Sequence, residues 1–438
     1  MPDARVTPPR RAAFQVLERV RAGDLADRAL DHFARGLEPR DRAWAQELVY
    51  GTFRLRGRID HLLGKLLRDG VESTDPAVLD VLRLGAYQLL EMGSVPPYAA
   101  VSQSVELARA VGAGRASGLV NGVLQNLGRK GRDLSFPRLD RDPAAYLSTW
   151  GSHPRWLVER WIARWEVEDA AALVEADNAR PELYLRPLGL SAEEARVRLG
   201  EAEIATEPVE FSPDSVRVLP PASAADALAV VPAVVQDPAA SLVVRYAAVP
   251  EDATVLDLCA APGGKAMGLA ERAGRVAAAD LSPRRLRKVV ENAARIGWGG
   301  RIAAVVADAR FPPFRAVDAV LLDAPCTGTG TFRRHPDGRW RVTPDDLAAL
   351  AALQAELLRA AAPLVRPGGL LVYSTCSLER EENEERVEAF LAEHPDFVVD
   401  PAPGAVPEAL VDGAGFLCVL PQRQGVDGAF AARMRRRA

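Results

Sequence analysis

The most informative segment of the chain is VLDLCAAPGGKAMGLAERAGRVAAAD, residues 255–280. It contains two apolar runs, 255–259 and 275–280, that lack a polar face, as is typical of strands buried inside a parallel sheet. Between them, residues 256–265 close the first strand with a glycine-containing turn and open a helix. The segment therefore predicts a strand, a helix and a second strand parallel to the first.

The same alternation continues towards the C-terminus. Further apolar runs lie at 302–307, 318–323 and 370–375, and helical stretches separate most of them. Parallel strands joined by helices predict a doubly wound α/β fold, and we assign residues 236–438 to this Rossmann-like domain. The last residues, ARMRRRA (432–438), resemble a biased, arginine-rich tail.

Two further domains are predicted on the N-terminal side. Residues 10–128 show only helical patterns, with apolar residues three and four positions apart. A linker rich in Gly, Pro and charge follows at 128–143, so we predict an all-α domain over residues 1–140. Residues 141–235 combine helical patterns with short apolar runs, which predicts a small α+β domain. The fold class is therefore multidomain.

The composition excludes several classes of protein. Of the 438 residues, 48% are hydrophobic and 26% charged, which excludes a disordered chain. The net charge of −4 excludes a uniformly basic nucleic-acid binder, although residues 1–140 carry 21 Lys and Arg against 17 Asp and Glu. Four cysteines without a C-x-x-C pair predict neither a disulfide framework nor a metal site. Without a signal-like or bilayer-spanning apolar run, we expect a cytoplasmic protein that binds no membrane.

Acidic residues stand at the ends of four successive predicted strands. They are Asp257, Asp280, Asp308 and Asp323. Carboxylates in one crevice suit ribose hydroxyls, an adenine amine or a sulfonium cation, and no P-loop motif for a triphosphate is present. S-adenosylmethionine meets all these demands. The alternative is that each Asp merely caps the next helix.

Two cysteines follow the fourth and fifth strands, in DAPCTGTG (323–330) and STCS (374–377). Neighbouring strand ends are expected to bring Cys326 and Cys376 together above the crevice. Carbon 5 of a pyrimidine is a poor nucleophile, but a thiolate that adds to carbon 6 turns it into an enamine-like carbon that can accept a methyl group. Asp323, held neutral in a dry pocket, is predicted to hydrogen-bond to ring N3, and the second cysteine to assist release. The alternative is that both cysteines are small core residues.

At these motifs the sequence resembles the Sun/Fmu (RsmB-type) RNA cytosine-5 methyltransferases. The resemblance covers essentially the whole chain, and the motif that precedes the two cysteine motifs is CAAPGGK (259–265). Two N-terminal segments resemble the NusB-like RNA-binding domain of such proteins, namely ELVYGTFRLRGRID (47–60) and VNGVLQNL (120–127).

The resemblance implies S-adenosylmethionine as cofactor and a cytosine in small-subunit ribosomal RNA as substrate. It implies that Cys376 is the nucleophile and that Cys326 helps to release the product; the residue pattern alone leaves open which cysteine attacks. We expect a monomer. The residues that the resemblance implies as cofactor contacts are Cys259, Ala260, Ala261, Pro262, Gly263, Gly264, Lys265, Asp280, Asp308 and Asp323.

The target cytosine must be splayed out of its stack to reach the pocket, so the enzyme must hold the RNA around it. We predict that arginine-rich stretches make these contacts. Arginines near an aromatic residue suit phosphates and an unstacked base, as in FRRHPDGRWRV (332–342). The alternatives are a solvated loop and a solvated helix end. The predicted contacts are Arg333, Arg334 and His335, together with Arg54, Arg56 and Arg58.

Three other functions compete with this prediction. An exocyclic-amine methyltransferase typically carries Pro-Pro-aromatic after the fourth strand, whereas this chain carries Ala-Pro-Cys at 324–326. A non-catalytic RNA-binding or ribosome-assembly factor would not need Cys326, Cys376 and Asp323 together. A cytosine-5 methyltransferase that acts on tRNA shares the same motifs, so the motifs alone do not separate it from an rRNA enzyme.

Overall fold

The structure is a computed structural model that describes residues 6–438, apart from the side chain of Arg132. Residues 1–5, part of the N-terminal stretch inspected for a signal sequence, lie outside the described residues. The chain forms two compact units. The first, called here the helical unit, runs to Ala179 and also includes Phe332–Arg341; the second, the sheet unit, comprises Arg180–Thr331 and Val342–Ala438.

The helical unit contains helices and no strand among its described residues, as the sequence predicts for residues 10–128. Its core is formed by the apolar faces of these helices, and Val81 and Leu82 of α5 are fully buried. The cap of α5 is Asp75, whose carboxylate accepts from the N–H groups of Ala77 and Val78. The helices are α1 (Pro8–Arg21), α2 (Ala26–Phe33), α3 (Pro39–Arg54), α4 (Arg56–Leu66), α5 (Pro76–Glu91), α6 (Pro97–Ala110), α7 (Ser117–Lys130), α8 (Pro143–Thr149), α9 (Arg155–Asn178, interrupted at Glu166) and α15 (Gly338–Arg341), with 3-10 turns at Gly114–Ala116 and Gly131–Asp133.

The sheet unit begins with a small α+β layer, as predicted. Its four strands form an antiparallel sheet in the order β2-β3-β1-β4. Ser191 and Glu194 form a capping box at the start of its first helix. The elements are β1 (Leu183–Pro187), α10 (Ala192–Glu201), β2 (Thr206–Pro208), β3 (Val216–Val218), α11 (Ala224–Val230) and β4 (Ala233–Val235).

The rest of the sheet unit is built on an eight-stranded mixed sheet. Its elements are α12 (Pro238–Ala247), β5 (Thr254–Asp257), α13 (Gly264–Leu269), β6 (Arg275–Asp280), α14 (Pro283–Arg295), β7 (Ile302–Val306), β8 (Val317–Asp323), α16 (Pro344–Ala361), β9 (Val365–Thr375), α17 (Glu384–Glu393), β10 (Phe397–Val399), β11 (Leu417–Val419), α18 (Pro421–Gln424) and β12 (Ala429–Arg436), with 3-10 turns at Thr329–Thr331, Ala362–Leu364 and Glu408–Leu410.

The five predicted strands pair in parallel in the order β7-β6-β5-β8-β9. The chain order reverses between β5 and β8, because β6 and β7 lie on one side of β5 and β8 and β9 on the other. A crevice at the carboxyl ends of strands beside such a reversal is the usual ligand site of doubly wound sheets. We therefore expect the ligand site among the residues that follow β5, β6, β8 and β9.

The arginine-rich C-terminus is a strand, so its interpretation as a tail was wrong. β12 lies between β9 and β10 and is antiparallel to both. Its small and apolar residues, such as Met434, are buried, while Arg433 and Arg435 form ion pairs with Asp400. The alternation of apolar and arginine residues has the two-residue period of a strand, and the ion pairs neutralise the charge.

One helix among residues 6–438 is a long apolar segment that the sequence reading did not single out. Residues Pro344–Leu364 are long and apolar enough to cross a membrane by length and composition alone. The segment starts at a capping box formed by Thr343 and Asp346, contacts β8, β9 and α17, and buries residues such as Leu358. These contacts are those of a helix packed on its own sheet.

Candidate active site

Three of the predicted carboxylates terminate adjacent strands. Asp257 is the last residue of β5, Asp280 of β6 and Asp323 of β8, and Asp308 lies two residues beyond β7. Since β6, β5 and β8 are neighbours in the sheet, these three strand ends share one edge with the two cysteine motifs. The structure therefore brings together the acidic residues that the sequence singled out.

The turn from residue 259 to residue 265 leads from β5 into α13. Gly263 has a φ of +106°, a conformation that side-chain-bearing residues rarely adopt, and a Cβ on it would lie 3.0 Å from the side chain of Val289. The peptide bond before Pro262 is cis. Lys265 lies in the first turn of α13, which is only six residues long. Glycine at 263 is therefore required by its left-handed backbone and by the close packing of the turn against Val289 of α14.

Asp280 and Asp308 differ in their surroundings. Asp280 is buried, and its carboxylate accepts from the N–H groups of Ala261 and Ser282 at 3.2 and 2.8 Å. Asp308 is partly exposed and is paired with Arg310 at 2.7 Å, and hydrogen bonds from that residue lower the pKa of Asp308. Both carboxylates retain acceptor capacity, because each oxygen can accept a second hydrogen bond.

Large apolar side chains that the sequence reading missed follow two of these acidic residues. Leu281 is 66% exposed and Phe311 is 78% exposed. Leu281 directly follows Asp280, and Phe311 comes three residues after Asp308. Exposed apolar groups beside carboxylates suit a nucleoside, whose base is flat and apolar and whose sugar is polar. Hydrophobicity alone gave no signal, because it does not distinguish an exposed residue from a core residue.

Asp257 is the unusual carboxyl group of the site. It is fully buried, and neither carboxylate oxygen has a hydrogen-bond partner among residues 6–438. Burial, followed by the negative charge of Asp323, raises the pKa of Asp257 to about 8. A buried carboxyl group without a donor is costly, and a ligand that brings a donor or a positive charge offsets that cost.

Lys265 and Asp323 form an ion pair at the crevice. The Lys265 Nζ lies 2.7 Å from Asp323 Oδ2, and Ser374 Oγ donates to Asp323 Oδ1 at 2.8 Å. Burial acts to lower the pKa of Lys265, but the charge of Asp323 and its hydrogen bond outweigh burial and raise it. Asp323 therefore meets an ammonium group and a hydroxyl group at this edge, and its role at ring N3 remains a prediction.

The two cysteine sulfurs meet above the sheet edge. Cys326 Sγ and Cys376 Sγ are 3.4 Å apart, and neither thiol is in a disulfide. The loops that carry them are joined by backbone hydrogen bonds, since Gly330 N donates to Cys376 O at 2.9 Å and Gly428 N donates to Gly330 O at 2.7 Å. A Cβ on Gly330 would lie 2.7 Å from Cys376 O, so the loops can approach only because a glycine is there.

The surroundings of the two thiols are electrically unequal. The hydrogen bond with Cys326 lowers the pKa of Cys376 despite burial and the negative charge of Asp323, and the positive charge of Lys265 acts in the same direction. The same hydrogen bond, with burial and the charge of Glu382, raises the pKa of Cys326 well above its usual value. Cys376 is therefore the thiol that more readily becomes the nucleophilic thiolate.

Glu382 is a buried acidic residue that the sequence reading missed. Its carboxylate accepts from Thr327 N at 2.9 Å and from Gln354 Nε2 at 3.0 Å, and the Thr327 hydroxyl also donates to it. Thr327 immediately follows Cys326, so Glu382 fixes the loop of that cysteine. Glu382 lies in a run of glutamates, LEREENEE at 378–385, and no local signal distinguishes it from the half-buried glutamates at 381, 384 and 385.

The remaining predicted cofactor contacts all lie in the turn after β5. Cys259 is half-buried, and burial with the charge of Asp257 raises the pKa of its thiol. Ala260 and Ala261 are buried, and Ala261 O accepts a hydrogen bond from Arg285. Gly264 begins α13, with the side chain of Gln236 directly over it. These cofactor contacts remain predictions.

The prediction that Arg54 and Arg333 contact RNA needs correction. The two residues are only 7% and 6% exposed, so a phosphate on the surface does not reach them. Arg54 is the last residue of α3, and Arg333 belongs to the segment Phe332–Arg341. In that segment Arg339 is fully buried and donates to the carbonyl oxygens of Ser152 and Asp177 at 3.2 and 3.0 Å. An arginine-rich sequence does not reveal whether its charges face solvent or backbone carbonyls.

The other predicted RNA contacts have partners within the helical unit. Arg58 stacks on Trp150, with its guanidinium carbon 3.8 Å from the ring centroid, and Arg56 lies 5.1 Å from the ring centroid of Trp340. His335 Nδ1 lies 3.0 Å from an Asp27 carboxylate oxygen. Arg334 is half-buried. A role of Arg56, Arg58, Arg334 or His335 in RNA binding remains a prediction.

Residues 6–438 contain no group of three or more His, Cys, Asp or Glu side chains that could hold a metal ion. The site therefore consists of carboxylates, one lysine and two thiols on one sheet edge. A thiolate next to a cation can perform nucleophilic addition, and the surrounding acceptors can hold a polar ligand.

Comparisons with known proteins match all three parts of the chain. Residues 7–129 match the NusB family, residues 153–225 match the ferredoxin-like domain of RsmF/B-like methyltransferases, and residues 245–435 match the 16S rRNA methyltransferase RsmB/F family. The predicted boundaries at 140 and 235 remain predictions.

Individual relatives match over nearly the whole length. The chain is 36% identical to ribosomal RNA small subunit methyltransferase B of Klebsiella pneumoniae, over 88% of this chain and 90% of that protein. It is 34% identical to the protein of the same name from Sodalis glossinidius, over 97% of this chain and 96% of that protein. Among solved structures, the crystal structure of PH0851 covers 98% of this chain and 99% of its own, with a TM-score of 0.80 and 26% identity.

Proposed function

The chain belongs to the RsmB/F family of 16S rRNA methyltransferases, and we propose that it methylates carbon 5 of a cytosine in 16S ribosomal RNA. We further propose that Cys376 forms a transient bond to carbon 6 of that cytosine. The observation that carries the proposal is the pair of thiols 3.4 Å apart beside the Lys265–Asp323 ion pair. An enzyme that methylates an amine or a hydroxyl group directly has no need of two thiols at its site.

S-adenosylmethionine is the proposed methyl donor, and the residues at the sheet edge fit it. The buried carboxyl group of Asp257, which has no hydrogen-bond partner among residues 6–438, suits the amino-acid ammonium group of the cofactor. The exposed Leu281 beside Asp280 suits its nucleoside. When bound, the cofactor supplies the electrophilic methyl group. The residues proposed to hold it are those of the turn 259–265, with Asp280 and Asp308 as acceptors for its hydroxyl and amine groups.

The protein's own groups carry the remaining chemistry. The Cys376 thiolate adds to carbon 6, and the electron pair displaced from the C5–C6 double bond makes carbon 5 nucleophilic. We propose that the Lys265 ammonium group donates towards ring N3 as negative charge develops there, and that the Asp323 carboxylate accepts from the exocyclic amine. In this proposal Lys265 and Asp323 act together on the cytosine, at ring N3 and at the exocyclic amine.

Product release requires loss of the proton from carbon 5. The electrons of that C–H bond re-form the C5–C6 double bond, and the bond between carbon 6 and the Cys376 sulfur breaks. We propose that Cys326 assists in one of two ways: as the base that takes the carbon-5 proton or, when that proton passes to solvent water, as the acid that protonates the departing sulfur. Glu382 holds the Cys326 loop for this step through Thr327.

Tritium release tests the site of methylation. Unmodified 16S rRNA that carries tritium at carbon 5 of its cytidines is incubated with the full chain and S-adenosylmethionine. Methylation at carbon 5 is expected to release one tritium into water for each methyl group transferred, because that hydrogen is the one replaced. Methyl transfer with full retention of tritium would contradict the proposal, and faster release from a tRNA transcript would identify tRNA as the substrate.

A further inference from the structure

One helix of the sheet unit is markedly more basic than the others. α14 carries five cationic residues and a single acidic one, Glu291. Its net charge of +4 is the highest of the described helices, in a chain whose total charge is −4. The cationic residues are Arg284, Arg285, Arg287, Lys288 and Arg295.

Three of these cations are not used to stabilise the fold. Arg284, Arg287 and Lys288 are exposed, and no ion-pair or hydrogen-bond partner is found for their side chains within residues 6–438. They lie at i, i+3 and i+4, so they share one face of the helix with neighbouring Cβ atoms about 5–6 Å apart. Leu286 and Val289 on the opposite face are buried and provide the packing. We call the three side chains the α14 basic face.

The start of α14 adjoins the candidate active site. Ser282, its N-cap, comes two residues after Asp280 at the carboxyl end of β6. Arg285 of the first turn donates to the carbonyl oxygen of Ala261 in the turn that is proposed to hold the cofactor. The α14 basic face therefore extends away from the same sheet edge at which the thiols lie.

We propose that the α14 basic face binds the sugar-phosphate backbone of the RNA substrate beside the target cytosine. The inference rests on the proposed function, since an RNA methyltransferase must hold a polyanion near its active site. Unpaired, exposed cations are the groups that release counterions when they meet phosphates, whereas cations already paired with carboxylates gain less. The buried Arg54 and Arg333 cannot supply such contacts, and Arg284, Arg287 and Lys288 can.

Neutralisation of two residues tests the inference against a control of equal charge. The test variant is Arg287→Gln/Lys288→Gln, in the full chain. The control is Arg275→Gln/Arg315→Gln, which removes two exposed arginines, also without a partner in the described part of the chain, that lie near the amino ends of β6 and β8. Both variants lose the same charge, so any difference between them reports position.

Binding of unmodified 16S rRNA is measured directly as a function of salt, without methyl transfer. We expect the dissociation constant of the test variant to rise about tenfold at 100 mM salt, and the slope of log K against log salt to become shallower by about 1.5–2, as expected for two lost phosphate contacts. The control is expected to match the wild type within about twofold. Equal behaviour of the two variants would overturn the inference. Because the readout is binding, this result is distinct from a failure of cytosine methylation.

Discussion

Cys376→Ala is expected to lower the rate of methyl transfer to 16S rRNA by at least about a thousandfold, the scale seen when a covalent nucleophile is removed. The physical reason is that carbon 5 of cytosine has no nucleophilic character of its own until a sulfur occupies carbon 6. The thiol of Cys326, 3.4 Å away, is not expected to replace it. The hydrogen bond with Cys376, burial and the charge of Glu382 raise the pKa of Cys326, and the last two causes persist in the variant. Transfer of tritiated methyl groups to RNA measures the loss.

The matched control for this variant is Cys418→Ala. Cys418 lies on β11 and pairs across to Phe430 of β12, remote in sequence from both cysteine motifs. Its removal is expected to leave the rate within about twofold of the wild type, because its half-buried thiol donates to Asp412 and lies outside the two cysteine motifs. Equal activity of Cys376→Ala and Cys418→Ala would remove Cys376 from the chemistry.

Lys265→Met is expected to lower kcat by about 100-fold or more, and to move the acid limb of the pH–rate profile to higher pH. The loss in kcat follows from removal of the proton donor at ring N3, since general acid catalysis is typically worth a factor of about 10²–10⁴. The pH shift follows from charge. The Lys265 ammonium group helps to lower the pKa of Cys376, so its removal raises that pKa, and more alkaline solution is needed to form the thiolate.

Lys265→Arg separates the two effects. A guanidinium group retains the positive charge, so the acid limb should stay near that of the wild type, while its planar geometry does not reproduce the ammonium contact with Asp323 at 2.7 Å. We therefore expect a reduced kcat without the pH shift. An unchanged acid limb in Lys265→Met would show that the lysine does not tune the thiol.

The parallel part of the sheet could be predicted because its strands are apolar on both faces. The runs at 255–259 and 318–323 have no competing interpretation in a chain that alternates strands with helices. β12 was missed for the opposite reason: its alternation of apolar and arginine residues resembles a charged tail unless Asp396 and Asp400, which pair with it, are known to lie opposite. That information is contained only in the tertiary structure.

In the candidate site, too, some features could be predicted from the sequence and others could not. The positions of Asp280, Asp323 and the two cysteines at strand ends follow from local sequence, because strand ends of a parallel sheet share an edge. The protonation of the site does not follow, since it depends on the approach of Lys265 to Asp323 and of Glu382 to the Cys326 loop. Residues this far apart in the chain give no local signal of their contact.

The arginine content of a segment does not show whether its side chains are exposed and can bind RNA. Arg339 and Arg287 are indistinguishable as residue types in basic segments, yet one is buried among carbonyl oxygens and the other is exposed without a partner among the described residues. Buried arginines of the first kind stabilise the fold, and only the second kind is available to phosphates. Prediction of an RNA surface from sequence therefore fails until burial is known.

A covalent complex between the enzyme and RNA is the most direct test of the bond between Cys376 and carbon 6. Cys326→Ala enzyme is incubated with S-adenosylmethionine and labelled 16S rRNA, denatured, and separated by gel electrophoresis. We predict a labelled RNA band retarded by the mass of the protein, because release is slowed while addition proceeds, and we predict its absence from Cys326→Ala/Cys376→Ala. Undiminished turnover by Cys326→Ala with no retarded band, or a band that persists without Cys376, would contradict the account.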